Sequence, residues 1–325
     1  MKKIIGIGNA LVDIILFLEN DDLLQAFSLP KGSMQLVDAD MALQVEESAR
    51  SCRKHMASGG SAANTIHGLA RLGMETAFIG TVGKDPFGEF FEKDMEDCGI
   101  HPLLSTGTTS TGRAISLVSP GGERTFATYL GAAIELAASR LNATLFRGYA
   151  HLHLEGYLVP NQQLVESALV LAQQCDMTVS LDLASYNVVE ANLGFLKRII
   201  ERYKPVIFAN EEEARAFSGH ADPQKSLDAF ASICPTAVVK IGARGSLIFH
   251  KGKNYSADAI PANCLDTTGA GDLYAAGYLY GFVRELPPDA CGRIGSLLAG
   301  RVIEEAGAKI GASSWDKIRN ELGNL

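Results

Sequence analysis

Two hydrophobic rhythms run through the chain. The first is a set of short, continuous apolar runs: Lys3 to Gly8, Thr76 to Val82, Ala150 to Leu154, Met177 to Leu183, Pro205 to Ala209 and Ala237 to Ile241. Runs of this length suit strands buried on both faces of a parallel sheet. Between them lie stretches with helical spacing. The segment after Gly59-Gly60 turns Ala63, Ile66, Leu69, Ala70 and Leu72 inward and stops naturally at Gly73. Pro86 to Cys98, Asn161 to Gln174, Val188 to Tyr203 and Ala290 to Ala306 also read as helices. From about residue 149 the alternation is regular, which predicts a doubly wound α/β fold around a mostly parallel sheet.

The second rhythm belongs to Leu11 to Leu18, Met34 to Asp38, Gly112 to Val118 and Arg124 to Thr128. The third of these alternates, with Ala114, Ser116 and Val118 on one side and Arg113, Ile115 and Leu117 on the other. The last two flank P-G-G-E and predict a hairpin. The four runs are expected to form a small sheet apart from the main core, placed to act as a lid within one domain spanning residues 1–325. Ala39 to Met56 is polar enough for a surface helix. Ser246 to His250 and Asn254 to Asp258 predict a further hairpin.

Composition narrows the class. The chain has 325 residues, 47% hydrophobic and 20% charged, as expected of a well-cored globular protein. A net charge of −8 argues against nucleic acid or an anionic membrane as the main partner, while leaving room for a small anion held locally. The six cysteines are scattered without a C-x-x-C pair, so neither a zinc site nor a disulfide framework is signalled, and reduced thiols in the cytoplasm are the expectation. Met1 to Leu18 imitates a signal peptide, but Asp13 interrupts the apolar run and acidic residues follow. The absence of a long uninterrupted apolar segment predicts no membrane span.

The densest chemistry lies in C-L-D-T-T-G-A-G-D at 264 to 272, a loop opening into a helix. A helix start offers unpaired N–H groups and partial positive charge, and small residues let an anion come close. A carboxylate there would repel a bound phosphate. It makes sense if Asp272 takes a proton from a hydroxyl that attacks the phosphate; the bland alternative is an ordinary helix start after a glycine turn. A second Gly-Gly helix start, S-G-G-S-A-A-N at 58 to 64, places Ser61 and Asn64 in its first turn and a half. Asn9 and Asp13 are polar residues in an apolar stretch, better explained by ligand contact than by burial alone. Asn210 and Glu213 have capping-box spacing, and the same pair suits a Mg²⁺ ion held through water. Lys240, near the end of an apolar strand, wants an anionic partner, and Gly242 and Gly245 leave space for one. His151 and His153 share a strand face without a third ligand, which favours a structural role. G-I-G-N at 6 to 9 lacks the third glycine of a dinucleotide fingerprint, and neither a P-loop nor protein-kinase landmarks occur.

Taken together, G-N-A-L-V-D at 8 to 13, G-G-S-A-A-N at 59 to 64, N-E-E-E at 210 to 213, V-K-I-G-A-R-G-S at 239 to 246 and D-T-T-G-A-G-D at 266 to 272 resemble the motifs of the ribokinase-like, PfkB-type carbohydrate and nucleoside kinases along nearly the whole chain. The resemblance implies a three-layer α/β/α sandwich with a mostly parallel sheet and a small β lid. It implies ATP-dependent transfer of a γ-phosphate to a hydroxyl of a sugar or of a nucleoside's ribose. By its pattern Asp272 would be the general base, with Gly269, Ala270 and Gly271 as anion hole. Asn9, Asp13, Gly59, Gly60 and Asn64 would hold the acceptor. Lys240, Gly242, Gly245, Thr267 and Thr268 would lie along the nucleotide. Asn210 and Glu213 would organise Mg²⁺, and carbonyls near Asp266 and Gly307 would take a monovalent cation such as K⁺. The long lid and the spacing of the first motifs are similar to the adenosine-kinase branch, though branches acting on ribose, fructose or keto-deoxy sugar acids use nearly the same residues. Arg124, in the lid, would meet an anionic sugar or lie in a solvated turn. A homodimer through the lid is left open. Two other classes stand beside this one: a catalytically silent sugar- or nucleotide-binding protein of the same fold, and a dinucleotide-dependent oxidoreductase.

Overall fold

In the computed structural model, whose described residues are 2–322, the continuous apolar runs become strands of a large sheet and the alternating ones strands of a small sheet. The chain begins with β1 (Ile4–Ile7), β2 (Leu11–Phe17), α1 (Asp22–Ala26), β3 (Met34–Leu36), α2 (Ala39–Ser48), β4 (Arg53–Gly59), α3 (Ser61–Arg71), β5 (Thr76–Val82), α4 (Pro86–Asp97) and β6 (Ile100–Thr106). The hairpin β7 (Gly112–Val118) and β8 (Arg124–Tyr129) leads through α5 (Ala143–Phe146) to β9 (His151–Glu155), α6 (Gln162–Gln174), β10 (Thr178–Asp182), α7 (Tyr186–Ala191), α8 (Leu193–Tyr203) and β11 (Val206–Asn210). Then come α9 (Glu211–Ser218), α10 (Pro223–Ala231), β12 (Thr236–Lys240), the hairpin β13 (Ser246–His250) and β14 (Lys253–Ala257), and finally α11 (Ala270–Val283), α12 (Pro288–Val302) and α13 (Ala312–Leu322).

Among the described residues the large sheet has nine strands in the order β14-β13-β12-β11-β10-β9-β1-β5-β6. From β12 to β6 all neighbours are parallel, and β13 and β14 close one edge antiparallel. Side chains alternate across it, and each face builds its own core. Ile4, Phe78, Phe208 and Val238 pack with α3, α4, α11 and α12. Ile5, Ile7, Leu152, Leu181 and Val239 pack with α6, α8, α9 and α10. This is a three-layer α/β/α sandwich, the architecture that the resemblance implies. Among the described residues no helix is long and apolar enough to cross a membrane.

The small sheet runs β3-β8-β7-β2-β4. Its pairing is parallel for β2–β7 and β3–β8 and antiparallel for β2–β4 and β7–β8. Three expectations need correction. The surface helix expected to Met56 ends at Ser48, and Arg53–Gly59 is instead an edge strand whose first half is exposed and therefore reads as polar. The helix expected over Val188–Tyr203 is two helices meeting at Asn192. The small-sheet strand expected to reach Asp38 stops at Leu36, because Asp38 caps α2 by accepting from the Met41 N–H.

Candidate active site

Parallel strands bind ligands at their carboxyl ends. Here Asn9 follows β1, and Glu155, Asp182, Asn210 and Lys240 end β9, β10, β11 and β12. The N-termini of α3 and α11 meet over this edge, with Gly68 leaving room for Leu273 and Ala276 of the neighbouring helix.

Asp272 is held from α3. Ser61 Oγ donates to its Oδ1 at 2.7 Å and Asn64 Nδ2 to its Oδ2 at 3.0 Å, while Thr65 Oγ1 donates to its backbone carbonyl at 3.1 Å. Burial pushes the Asp272 carboxyl up to about 6, with nearby Asp182 adding to the rise; the Asn64 and Ser61 donors and Lys240 pull the other way. The α11 N-cap is Gly269, in the left-handed region at φ 77°, where a Cβ would run into Ala308. The Ala270 N–H already donates to Thr267 O at 3.2 Å. The Gly269 and Gly271 N–H groups donate to no carbonyl among the described residues.

A carboxylate that no motif announces anchors the other helix start. Gly60, the α3 N-cap, has no side chain to offer. Glu155 supplies the capping oxygen from β9: its Oε2 accepts from Ala62 N at 2.9 Å, and its Oε1 accepts from Asn9 N at 2.9 Å and Asn9 Nδ2 at 2.5 Å. A carboxylate at a helix N-terminus is favourable, yet burial still raises this one to about 7. Asn9 is therefore tied to Glu155 through its amide nitrogen.

Lys240 reaches across the strand ends. Its Nζ donates to Asp182 Oδ2 at 2.9 Å and points at the α11 turn, where a Cβ on Gly271 would lie 3.0 Å away. Burial opposes its charge, but Asp182 and Glu213 outweigh burial and keep the ammonium above its ordinary range. Glu213 closes a full capping box with Asn210: Asn210 N and Nδ2 donate to its two oxygens at 2.8 and 2.7 Å, and its own N–H donates to Asn210 Oδ1 at 2.9 Å. Burial raises its pKa, with Asp182 adding to the effect. Each Glu213 oxygen keeps a lone pair for a water molecule. Among the described residues no group of three or more His, Cys, Asp or Glu side chains forms a metal cage.

Asp13, on β2, faces Gly59 so closely that any Cβ there would collide with its carboxylate. It accepts no hydrogen bond from the described residues. Burial pushes it up to about 7, Lys309 lowering it and Asp272 raising it. Lys309 has a buried Nζ without a hydrogen-bond partner among the described residues. Gly242 is exposed and Gly245 is a turn residue against Ala257 O. Thr267 is exposed, and Thr268 donates to Asp266 through both N and Oγ1. Arg124 is not a solvated turn residue: its side chain is 11% exposed and its Nη1 is paired with Asp266 at 2.9 Å. His151 and His153 lie within the sheet, bonded to Thr178 and Ser180.

Glu155, Asp182 and Lys309 were not marked by any motif. Their one trace in the sequence is position: Glu155 and Asp182 each end an apolar strand, where a carboxylate is costly unless it serves the cleft.

Comparison with known proteins gives this arrangement its family. The description "pfkB family carbohydrate kinase" fits residues 32–315. The fold matches a probable sugar kinase from Rhizobium etli at 31% identity, with a TM-score of 0.89, over 100% of this chain and 99% of that one. It matches the adenosine kinase from Sinorhizobium meliloti at 30% identity, with a TM-score of 0.88, over 98% and 99%. A 5-dehydro-2-deoxygluconokinase from Geobacillus thermodenitrificans is 28% identical over 284 residues, 82% of this chain and 84% of the relative. The chain belongs to the PfkB family of carbohydrate kinases and is a sugar or nucleoside kinase, a phosphotransferase with an alcohol acceptor.

Proposed function

We propose that this kinase moves the γ-phosphate of ATP to a hydroxyl of a neutral ribosyl acceptor, with Asp272 as the general base. One observation carries the reading: the Asp272 carboxylate is fixed by Ser61 and Asn64 beside the uncommitted N–H groups of Gly269 and Gly271. A base and an anion-binding turn thus share one helix start. Phosphoryl transfer has a loose transition state, so positioning and charge stabilisation matter more than strong basicity. A carboxyl of pKa about 6 is ionised at neutral pH and can take the hydroxyl proton as the phosphoryl group departs. Gly269 and Gly271 N–H, with Lys240, face the negative charge of that group. Ala270 contributes less than its neighbours, since its N–H is already engaged. When bound, Mg²⁺ neutralises the nucleotide's phosphates; Glu213, Asn210 and Asp182 would hold it through water.

The acceptor lies over Asp13, Gly59, Gly60, Asn64 and Asn9. Asp13 has the open carboxylate needed to accept from a pair of hydroxyls. The small sheet, to which β2 and β4 belong, would close over it as the lid. Arg124 is committed to Asp266, which favours a neutral acceptor over an acidic sugar. That supports a nucleoside acceptor, as the name of the Sinorhizobium relative says of that protein. The test is ADP release with Mg²⁺ and ATP against ribose, fructose, keto-deoxy sugar acids and nucleosides. The expected result is turnover with nucleosides or ribose. Selective turnover of a sugar acid would reverse the choice of acceptor, and absence of turnover with every acceptor would remove the kinase mechanism.

A further inference from the structure

A monovalent cation held by carbonyls near Asp266 and Gly307 is implied by the fold family, and the buried Arg124–Asp266 ion pair in the same place does not fit one. An ionised carboxylate offers about four lone-pair positions, and Asp266 takes three hydrogen bonds and an ion pair on its two oxygens. Oδ1 accepts from Thr268 N at 3.1 Å and from Thr268 Oγ1 at 2.8 Å. Oδ2 accepts from Gly307 N at 2.7 Å and lies 2.9 Å from Arg124 Nη1. The ion pair is buried, with side-chain exposures of 11% for Arg124 and 4% for Asp266. A second positive charge in the same spot would meet guanidinium repulsion with little water to screen it.

We infer that Arg124 replaces the monovalent cation, so that this kinase works without K⁺. The inference rests on the kinase reading above. Asp266 stands three residues before Gly269, and its bonds to Thr268 and Gly307 fix the loop that ends in the anion-binding turn. An uncompensated carboxylate there would oppose the phosphoryl charge that the turn receives. The guanidinium cancels it and braces the loop from β8, doing by covalent attachment what a bound ion does by equilibrium. Arg124 is therefore a positioning residue acting through Asp266. The planar, permanently charged fork suits a buried carboxylate better than a lysine would.

The test compares KCl, NaCl and choline chloride at equal ionic strength, using protein freed of K⁺. For the wild type the expected result is equal turnover in the three salts, an equal Kd for a non-hydrolysable ATP analogue and equal melting temperatures. Arg124→Ala is expected to lose turnover in choline, on the order of 10²-fold for a displaced reacting geometry. It should regain turnover, and gain melting temperature, specifically with K⁺. Arg124→Lys, which keeps a charge, should turn over independently of K⁺ and covers the case in which the alanine variant does not fold. Activation of the wild type by K⁺ over choline overturns the inference. So does a folded Arg124→Ala that keeps full turnover in choline, or one that is inactive in every salt. The analogue-binding and melting measurements need no acceptor, so they still decide the cation question if the proposed acceptor class is wrong.

Discussion

In the proposed mechanism Asp272 has a modest chemical task and a demanding geometric one. Ser61 and Asn64 occupy one lone pair on each oxygen, leaving the others for an incoming hydroxyl. Asp272→Asn keeps these neighbours in reach but cannot take a proton. Its kcat should fall by about 10²–10⁴-fold, with the Kd for ATP unchanged in calorimetry. A wild-type kcat in that variant would remove Asp272 from the base role. Because burial holds Asp13 at about 7 and this carboxyl at about 6, the wild-type kcat/KM should begin to decline as pH falls below 7 and steepen toward a slope of two protons below 6. A decline centred near the ordinary carboxylate value of 3.8 would mean that the base is solvated, or is another group.

At the scale of elements, the Gly59-Gly60 step matters most. Gly60 has φ 99°, and a Cβ there would strike Asn9 O. Gly73 also has positive φ, at 85°, but nothing lies within 4 Å of its would-be Cβ. Both alanine substitutions incur backbone strain, roughly 1–3 kcal/mol. Only Gly60→Ala should add a steric conflict at the start of α3. Its melting temperature should drop well below that of Gly73→Ala; equal drops would show that strain alone decides. The glycines were visible in the sequence because turns and helix starts are local chemistry. The strand β4 before them was not. It is an edge strand with Arg53, Lys54 and His55 exposed, so hydrophobic pattern says nothing there. β6, an edge strand of the large sheet, was missed as well; its first residues carry the His-Pro pair, which breaks strand pattern without preventing edge pairing. Glu155 escaped for a different reason. Its value arises when parallel register brings β9 beside β1 and under α3, a relation across the chain that no local spacing encodes.

The molecule as a whole carries opposed proton ledgers. Asp13 and Glu155 are raised by burial to about 7 and Asp272 to about 6, above the 3.8 and 4.5 of unburied Asp and Glu. At these three sites the folded state holds more protons than the unfolded chain between those limits, and their contribution to stability is lost as pH rises through 6 to 7. His151 and His153 are depressed by burial to about 3 and 4, from 6.5. They withdraw stability as pH falls below 6.5. The ligand-free protein should melt at a higher temperature at pH 6 than at pH 8, and Asp13→Asn should flatten that slope. A wild-type melting temperature that rises steadily to pH 8 would contradict the burial of these acids. One joint links this charged cleft to the small sheet. β4 ends at Gly59 and α3 begins at Ser61, so a single residue separates the sheet that carries Asp13 from the side chain that grips Asp272. With Gly60 alone between them, a tilt of the small sheet would turn Ser61 and Asn64, and with them the direction in which Asp272 presents its oxygens. On the proposed mechanism, an acceptor held beneath that sheet would thereby bear on the orientation of Asp272.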